Sequence, residues 1–140
     1  MDKKVLQIID ANLNRTREGL RVCEDIVRFS VRDRNVSSSL KLIRHDATKA
    51  ILGSDILDLK KLLDARDVKK DLSKFIDYKK NNSTLADLFM SNIERVKESL
   101  RVLEECLKLV DDGLSSKYRK LRFDTYHAEK KIIKKIGTHK

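Results

Sequence analysis

The chain has 140 residues, a length that suits one domain with a single core. It contains no proline or tryptophan and only four glycines, which argues against β-rich folds and excludes the two common glycine-rich nucleotide-binding motifs. Lysine and arginine outnumber aspartate and glutamate by 32 to 22, a formal net charge of +10, and 40% of the residues are hydrophobic, too many for a disordered chain.

The first half of the sequence predicts two helices. Apolar residues at helical spacing predict one long helix over residues 3–33. A second helix is predicted over residues 37–52, with Ser37 or Ser38 as its N-cap and Gly53 as its stop.

The rest of the chain predicts a short helix over residues 55–63, an irregular connection over 64–82, and further helices over 84–111 and 115–136. The predicted caps of the last two helices are Ser83 or Thr84 and Ser115 or Ser116. A long irregular connection inside a helical domain is uncommon and often functional, so its polar residues are candidates for a site.

Several features argue against membrane or secreted proteins. The apolar runs span at most four residues, well short of the ~20 that a membrane-spanning helix needs, and the N-terminus carries no secretory segment. Cys23 and Cys106 are predicted to be buried thiols in a reducing compartment, and three scattered histidines offer no zinc-site spacing. We therefore expect a cytoplasmic protein.

The second half of the sequence repeats the first. Residues 12–24 align with residues 92–104, with seven of thirteen positions identical, and the second helices align at a shift of 78. We therefore expect an all-α fold in which pseudo-twofold duplicated helical hairpins form a four-helix bundle with an irregular central connection. The prediction is a single domain, 1–140, with internal repeats of roughly 5–53 and 85–137.

Asn12 and Asn92 lie on the predicted core-facing side of their helices, beside the small residues Gly19 and Ser99. Two interpretations remain open. The asparagines fix the helix register while the small residues permit close packing, or they bind a ligand in a polar pocket at the bundle axis.

Repeated arginines form a candidate anion site, because the planar guanidinium group suits bidentate contacts with phosphate. Its members are Arg15, Arg95, Arg44 and Arg122, and the charged rim around them includes Glu18, Glu98, Arg21 and Arg101. The alternative is a set of ion pairs on a solvated face, each contributing about 0.2–0.5 kcal/mol.

Polar residues of the irregular connection add to this set. Asp67, which follows Arg66, is a candidate proton acceptor or magnesium ligand, with Asp71 nearby; the alternative is an ordinary turn. His45 is either close to the anion site or structural. The strongly basic C-terminal region lacks an aromatic platform, which favours a solvated helix over a nucleic-acid-binding surface.

These motifs resemble a small all-helical family of thiamine biosynthesis, the hydroxymethylpyrimidine-phosphate kinases. The resemblance is carried by residues 9–25, Arg44-His45, Ala65-Arg66-Asp67, residues 92–105, Leu121-Arg122 and Tyr126. It implies a kinase that uses ATP and Mg²⁺ to convert 4-amino-5-hydroxymethyl-2-methylpyrimidine phosphate to the diphosphate, and that does not accept the free alcohol. Members occur alone or fused to thiamine-phosphate synthase, and this chain resembles the stand-alone form. It departs from the family pattern at Asp71-Leu72-Ser73-Lys74, where a Gly-Thr pair is usual.

The resemblance implies specific roles. The catalytic candidates are Arg15, Arg66, Asp67 and Arg95, and the magnesium candidates are Asp67 and Asp71. The candidates for binding substrate or ATP are Asn12, Asn92, Glu18, Glu98, Arg21, Arg101, Arg44, His45, Arg122 and Tyr126. The expected partners are the pyrimidine phosphate and ATP, with thiamine-phosphate synthase or a second copy of the chain as further partners. The alternatives are a non-catalytic accessory module of that synthase and, third, a basic RNA-binding protein.

Overall fold

A computed structural model describes residues 1–72 and 84–138. These residues form five α-helices and no strand, which confirms the all-helical prediction. The helices are α1 (Lys3–Ile26), α2 (Arg34–Leu52), α3 (Leu59–Ala65), α4 (Leu85–Leu107) and α5 (Asp112–Thr138), and a π-helical turn, Val27–Val31, continues α1. No helix in this part of the chain combines the length and the apolar character needed to cross a bilayer.

Helices α1 and α4 pack against each other in antiparallel orientation at the centre of the molecule. The Thr16 and Ser99 hydroxyl groups meet between them, and about two turns further along α1 the Cys23 thiol faces the carbonyl oxygen of Phe89. The apolar stripe of each helix turns toward the other, so that Leu20 and Leu100 are fully buried.

The outer helices complete this core. Helix α2 packs against α1 and α5, and α5 packs against α4. The buried Tyr118 hydroxyl of α5 donates a hydrogen bond to the Ala47 carbonyl oxygen of α2. The packing of α1, α4 and α5 is consistent with a bundle.

The first two helices differ at their ends from the sequence prediction. The α-helical part of α1 ends at Ile26, and the π-helical turn carries the chain to Arg32, whose φ of 56° lies in the left-handed region. The predicted caps Ser37 and Ser38 are wrong, because the Asp33 side chain accepts a hydrogen bond from the Val36 amide at 3.1 Å and begins α2 three residues earlier. Gly53 ends α2 as predicted.

The later helices show similar differences. Asp58 caps α3, which therefore begins at Leu59, and Thr84 caps α4 as predicted. Helix α4 ends at Leu107 rather than 111, and turns follow. Helix α5 begins at Asp112 rather than Ser115 or Ser116, because the Asp111 carboxylate accepts the Gly113 amide at 2.7 Å. The predicted cap Ser83 and residues 73–83 of the connection lie outside the described residues.

Candidate functional site

A groove of about 750 Å³ lies between the N-terminal half of α1 and the segment that follows α3. Six of the predicted site residues line it: Asn12, Arg15, Glu18, Arg66, Asp67 and Asp71. The structure thus brings the first repeated motif together with the polar residues of the connection.

An ion pair between the buried Asp10 and the more exposed Arg66 holds the two walls of this groove together. Arg66 donates from Nε to Asp10 Oδ2 and from Nη2 to Asp10 Oδ1, each at 2.7 Å, and Asp10 is only 6% exposed. These hydrogen bonds raise the pKa of the Arg66 guanidinium above its ordinary value. Beside the pair, Gln7 Nε2 donates to the Ala65 carbonyl oxygen at 2.7 Å. The position of Asp67 therefore depends on α1 as well as on its own segment.

The asparagine of the first motif is committed to its own helix. Asn12 is buried, and its Nδ2 donates to the Ile8 carbonyl oxygen at 2.8 Å. Its Oδ1 accepts from Arg15 Nη1 at 3.4 Å, while Arg15 itself is exposed along the groove. Asn92 makes the equivalent bond to the Leu88 carbonyl oxygen, also at 2.8 Å. The side-chain NH2 groups of Asn12 and Asn92 thus donate to the backbone of their own helices, and the Asn12 side-chain oxygen accepts a hydrogen bond from Arg15.

The two aspartates of the segment fit magnesium only in part. Asp67 Oδ1 accepts from the Lys70 amide at 3.2 Å and so shapes a turn. In residues 1–72 and 84–138 no cluster of three metal-ligating side chains exists. Magnesium is commonly held by one or two carboxylates together with substrate phosphates. Asp67 and Asp71 suit a site in which substrate phosphates complete the coordination of magnesium, rather than one made of protein ligands alone.

The arginines predicted on the second helices form interhelical ion pairs. Arg44 of α2 donates to both carboxylate oxygens of Glu24 on α1, at 2.6 and 3.1 Å. Arg122 of α5 donates from Nη2 to both oxygens of Glu104 on α4, at 3.1 and 3.3 Å. These pairs occupy equivalent positions of the sequence repeat and link the helices of each hairpin. Neither arginine lines the groove, and phosphate binding by them stays a prediction.

Hydrogen bonding raises the pKa of both arginines. For Arg44 the main cause is its bond with Glu24, and for Arg122 it is the bond with the Tyr126 hydroxyl, followed by Glu104. Arg122 Nε is buried and has no hydrogen-bond partner in the described part of the chain.

The structure does not bring the other predicted residues into the groove. Arg101 pairs with Glu105 at 3.2 Å on the surface of α4, and Tyr126 accepts from Arg122 Nη1 at 3.1 Å. The remaining residues outside the groove are Asn92, Arg95 and Glu98 of α4, His45 of α2 and Arg21, which lies further along α1.

Sequence reasoning missed Asp10, Gln7 and the other polar residues of the groove, Lys4, Asn14 and Lys70. One signal for Asp10 was present, because the repeat aligns it with Met90. The two halves therefore differ at this position, with a carboxylate in the first and an apolar side chain in the second.

Comparisons with known proteins identify the family of the chain. The model of the ThiD2 family matches residues 7–131. The chain is 37% identical over 134 residues to a thiamine-phosphate synthase of Prochlorococcus marinus subsp. pastoris, covering 94% of this chain and 36% of the relative. It is 33% identical over 131 residues to the thiamine-phosphate synthase of a Synechocystis species, covering 92% of this chain and 36% of the relative.

The chain spans about a third of the length of these curated relatives. The matched part is their N-terminal region. No solved structure matches the chain. The resemblance to a thiamine-biosynthesis family is thereby confirmed: the chain belongs to the ThiD2 family.

Proposed function

We propose that the protein is an ATP-dependent kinase that converts 4-amino-5-hydroxymethyl-2-methylpyrimidine phosphate to the diphosphate. Family membership supports a role in thiamine biosynthesis. The observation that carries the proposal is the groove. Arg15 of α1 lines one wall, and Arg66, Asp67 and Asp71 of the segment that follows α3 line the other.

The groove has the charges that phosphoryl transfer between two anions requires. Such a reaction depends mainly on positioning and on neutralising the phosphate oxygens. Asp10 engages Nε and Nη2 of Arg66, which leaves Nη1 without a partner among the described residues. Nη1 and the exposed Arg15 guanidinium are thus available to phosphate. The attacking phosphate oxygen is already anionic near neutral pH, so no strong general base is required.

Arginine capture also explains how the free alcohol is rejected. A substrate without its phosphate would leave the guanidinium groups of the groove unpaired, and sites built for a polar group discriminate strongly against a ligand that lacks it. Asp67 and Asp71 would hold Mg²⁺, which supplies further neutralising charge when bound with ATP.

We also propose that the duplication seen in the sequence is present in the fold. The two hairpins are pseudo-twofold halves of a four-helix bundle, and the equivalent Glu24–Arg44 and Glu104–Arg122 pairs support this relation. The groove draws on the first half and the connection.

The test is an ADP-release assay on the purified protein with Mg²⁺ and ATP, comparing the pyrimidine phosphate with the free alcohol as acceptor. We expect turnover with the phosphate alone. Arg15→Ala should reduce kcat/KM by about a hundredfold with little loss of stability, because Arg15 is exposed. Arg119→Ala on α5 is the matched control. Full activity of Arg15→Ala would overturn the assignment of the groove.

The second candidate is a non-catalytic accessory module of thiamine-phosphate synthase. The observation that favours it is that the matched relatives carry that name and are about three times longer than the matched region. A folded protein without turnover that binds a thiamine-phosphate synthase would support this function. Where the protein does turn over ATP, a comparison of Arg95→Ala with Arg15→Ala shows whether the second half shares the kinase site. We expect the smaller effect for Arg95, which lies outside the groove.

A further inference from the structure

A second cleft, of about 530 Å³, lies at the other end of α1, between its last turns, the π-helical turn and the start of α2. Five cationic side chains line it: Arg21, Arg28, Arg32, Arg34 and Lys41. None of the roles inferred above uses this cleft, and among its cations only Arg21 was a candidate from the sequence.

The cations of the cleft are not neutralised by the protein. Within residues 1–72 and 84–138, none of the five forms an ion pair. Three acidic residues also line the cleft, but two are engaged elsewhere. Glu24 pairs with Arg44, and Asp33 caps α2 and pairs with Lys135. Five cations therefore face one uncommitted carboxylate, that of Asp25, and a cleft of this charge attracts a multiply charged anion.

The backbone at this end of the molecule places further polar groups in the cleft. Arg32 has a left-handed conformation, unusual for a residue other than glycine, and its Nε donates to the Phe29 carbonyl oxygen at 3.5 Å. Asp33 rather than Ser37 or Ser38 caps α2, and both serines are among the residues that line the cleft. Hydroxyl and guanidinium donors together are suited to phosphate oxygens.

The cleft and the groove line consecutive stretches of α1 and of the π-helical turn that continues it. Arg15 and Glu18 line the groove, and Arg21, Asp25 and Arg28 line the cleft. Successive members of this series are three or four residues apart, so that each is a neighbour of the next, while the series as a whole winds around the helix. Arg21 follows Arg15 at about 9 Å along the helix axis. An extended ligand in the cleft can therefore direct one end toward the groove.

We propose that this cleft binds the polyphosphate tail of ATP, while the groove takes the pyrimidine phosphate. The assignment rests on the proposed kinase function for the identity of the nucleotide. It follows from the difference in charge. The groove contains an equal number of cations and carboxylates, four of each, and one of these cations, Arg66, is paired with Asp10, whereas the cleft has an excess of unpaired cations.

The test measures binding rather than turnover. Isothermal titration calorimetry would give the Kd of the full chain for ATP, ADP, AMP, inorganic tripolyphosphate and the pyrimidine phosphate. The cleft variant is the double substitution Arg28→Gln/Arg34→Gln. Its matched control is Lys117→Gln/Arg119→Gln on α5, which removes the same charge from exposed positions. Circular dichroism checks the fold, and Arg34→Gln/Lys41→Gln replaces the first variant if it does not fold.

We expect the wild-type chain to bind ATP and tripolyphosphate more tightly than AMP. In the cleft variant, the Kd for ATP and for tripolyphosphate should rise by about tenfold or more, since two charge-assisted contacts are lost. The Kd for the pyrimidine phosphate should stay within about twofold of the wild-type value. The control should leave every Kd within about twofold.

Unchanged ATP affinity in the cleft variant, or a loss of affinity confined to the pyrimidine phosphate, would overturn the inference. Absence of ATP binding to the wild-type chain would also overturn it. The kinase proposal is judged separately by ADP release. Tight ATP binding through the cleft without turnover would refute the kinase alone, and turnover with an unchanged KM for ATP in the cleft variant would refute the cleft alone.

Discussion

The hydroxyl oxygens of Thr16 and Ser99 lie 2.7 Å apart where α1 crosses α4. The sequence repeat aligns Thr16 with Val96 and Ser99 with Gly19, and these two partners also meet, because a Cβ atom on Gly19 would lie 2.8 Å from Val96 Cγ2. The two halves of the repeat therefore make the same contact between α1 and α4 twice. In one contact the hydroxyl groups of Thr16 and Ser99 form a hydrogen bond. In the other, Val96, which has the shape of threonine, packs against Gly19.

The hydroxyl pair predicts a measurable coupling. Thr16→Val keeps the shape of the side chain but removes the bond, and it should lower the free energy of unfolding by about 1 kcal/mol. Ser99→Ala should have a similar effect. The double variant should lose less than the sum, because each single variant already removes the bond that the two hydroxyl groups share. Urea unfolding of the three variants measures the coupling, and strict additivity would show that the bond contributes nothing.

The equivalent contact predicts that Gly19 cannot be enlarged. Gly19→Ala would gain up to about 1 kcal/mol in helix propensity. The added Cβ, however, meets Val96 Cγ2 at 2.8 Å and the Asn92 carbonyl oxygen at 3.2 Å, and such overpacking typically destabilises by about 1–3 kcal/mol. We expect a lower melting temperature for Gly19→Ala. The same substitution in a Val96→Ala background should be tolerated better, and equal effects in both backgrounds would contradict the contact.

The pairing of Asp10 with Arg66 predicts that Asp10→Asn lowers activity as well as stability. Asp10→Asn removes the charge that holds the guanidinium, so Arg66 and the neighbouring Asp67 are no longer fixed against α1. We expect kcat/KM for the pyrimidine phosphate to fall by about tenfold or more. The free energy of unfolding should fall by only about 1–2 kcal/mol, since the Arg66 side chain is 38% exposed.

Asp124→Asn serves as the control for this prediction, because Asp124 pairs with Lys120 on the exposed side of α5. It should change neither quantity. If Asp10→Asn lowered only stability and left kcat/KM intact, the ion pair would have no part in positioning the groove.

The buried thiol of Cys23 predicts a dependence of stability on alkaline pH. Burial raises its pKa from 9.0 to about 12, with smaller contributions from Glu24 and Glu129. Between pH 9 and 12 the native state keeps a thiol proton that the unfolded chain loses. The contribution of Cys23 to the free energy of unfolding is therefore complete below pH 9 and is lost as the pH rises toward 12. At pH 10 the loss amounts to about 1.4 kcal/mol.

Cys23→Ala isolates this effect from other titrating groups, including Tyr118, whose pKa burial also raises. The unfolding free energy of the variant should decline less steeply between pH 8.5 and pH 10.5 than that of the wild-type chain. Identical slopes in the two proteins would show that Cys23 titrates normally.

A thiol reagent at pH 8 should also modify Cys106, which is half-buried, before Cys23.

Much of the fold could be predicted from local sequence patterns. Helical periodicity without proline located the helices, and Thr84 and Gly53 were identified as a cap and a stop because their residue types suit those positions. The start of α2 could not be chosen in this way, since Asp33, Ser37 and Ser38 are all good caps. Only the assembled structure, with Asp33 also paired to Lys135 of α5, decides between them.

The sequence by itself determined the helices, the repeat and the set of arginines suited to anions, because these depend on spacing and residue type. The tertiary structure decided what each arginine faces. Arg66 meets Asp10 across 56 positions, whereas Arg44 meets Glu24 and is held in an interhelical ion pair. The physical reason is that a guanidinium group binds whichever carboxylate the fold brings within hydrogen-bond distance, and that distance depends on how the helices pack rather than on the spacing along any one of them.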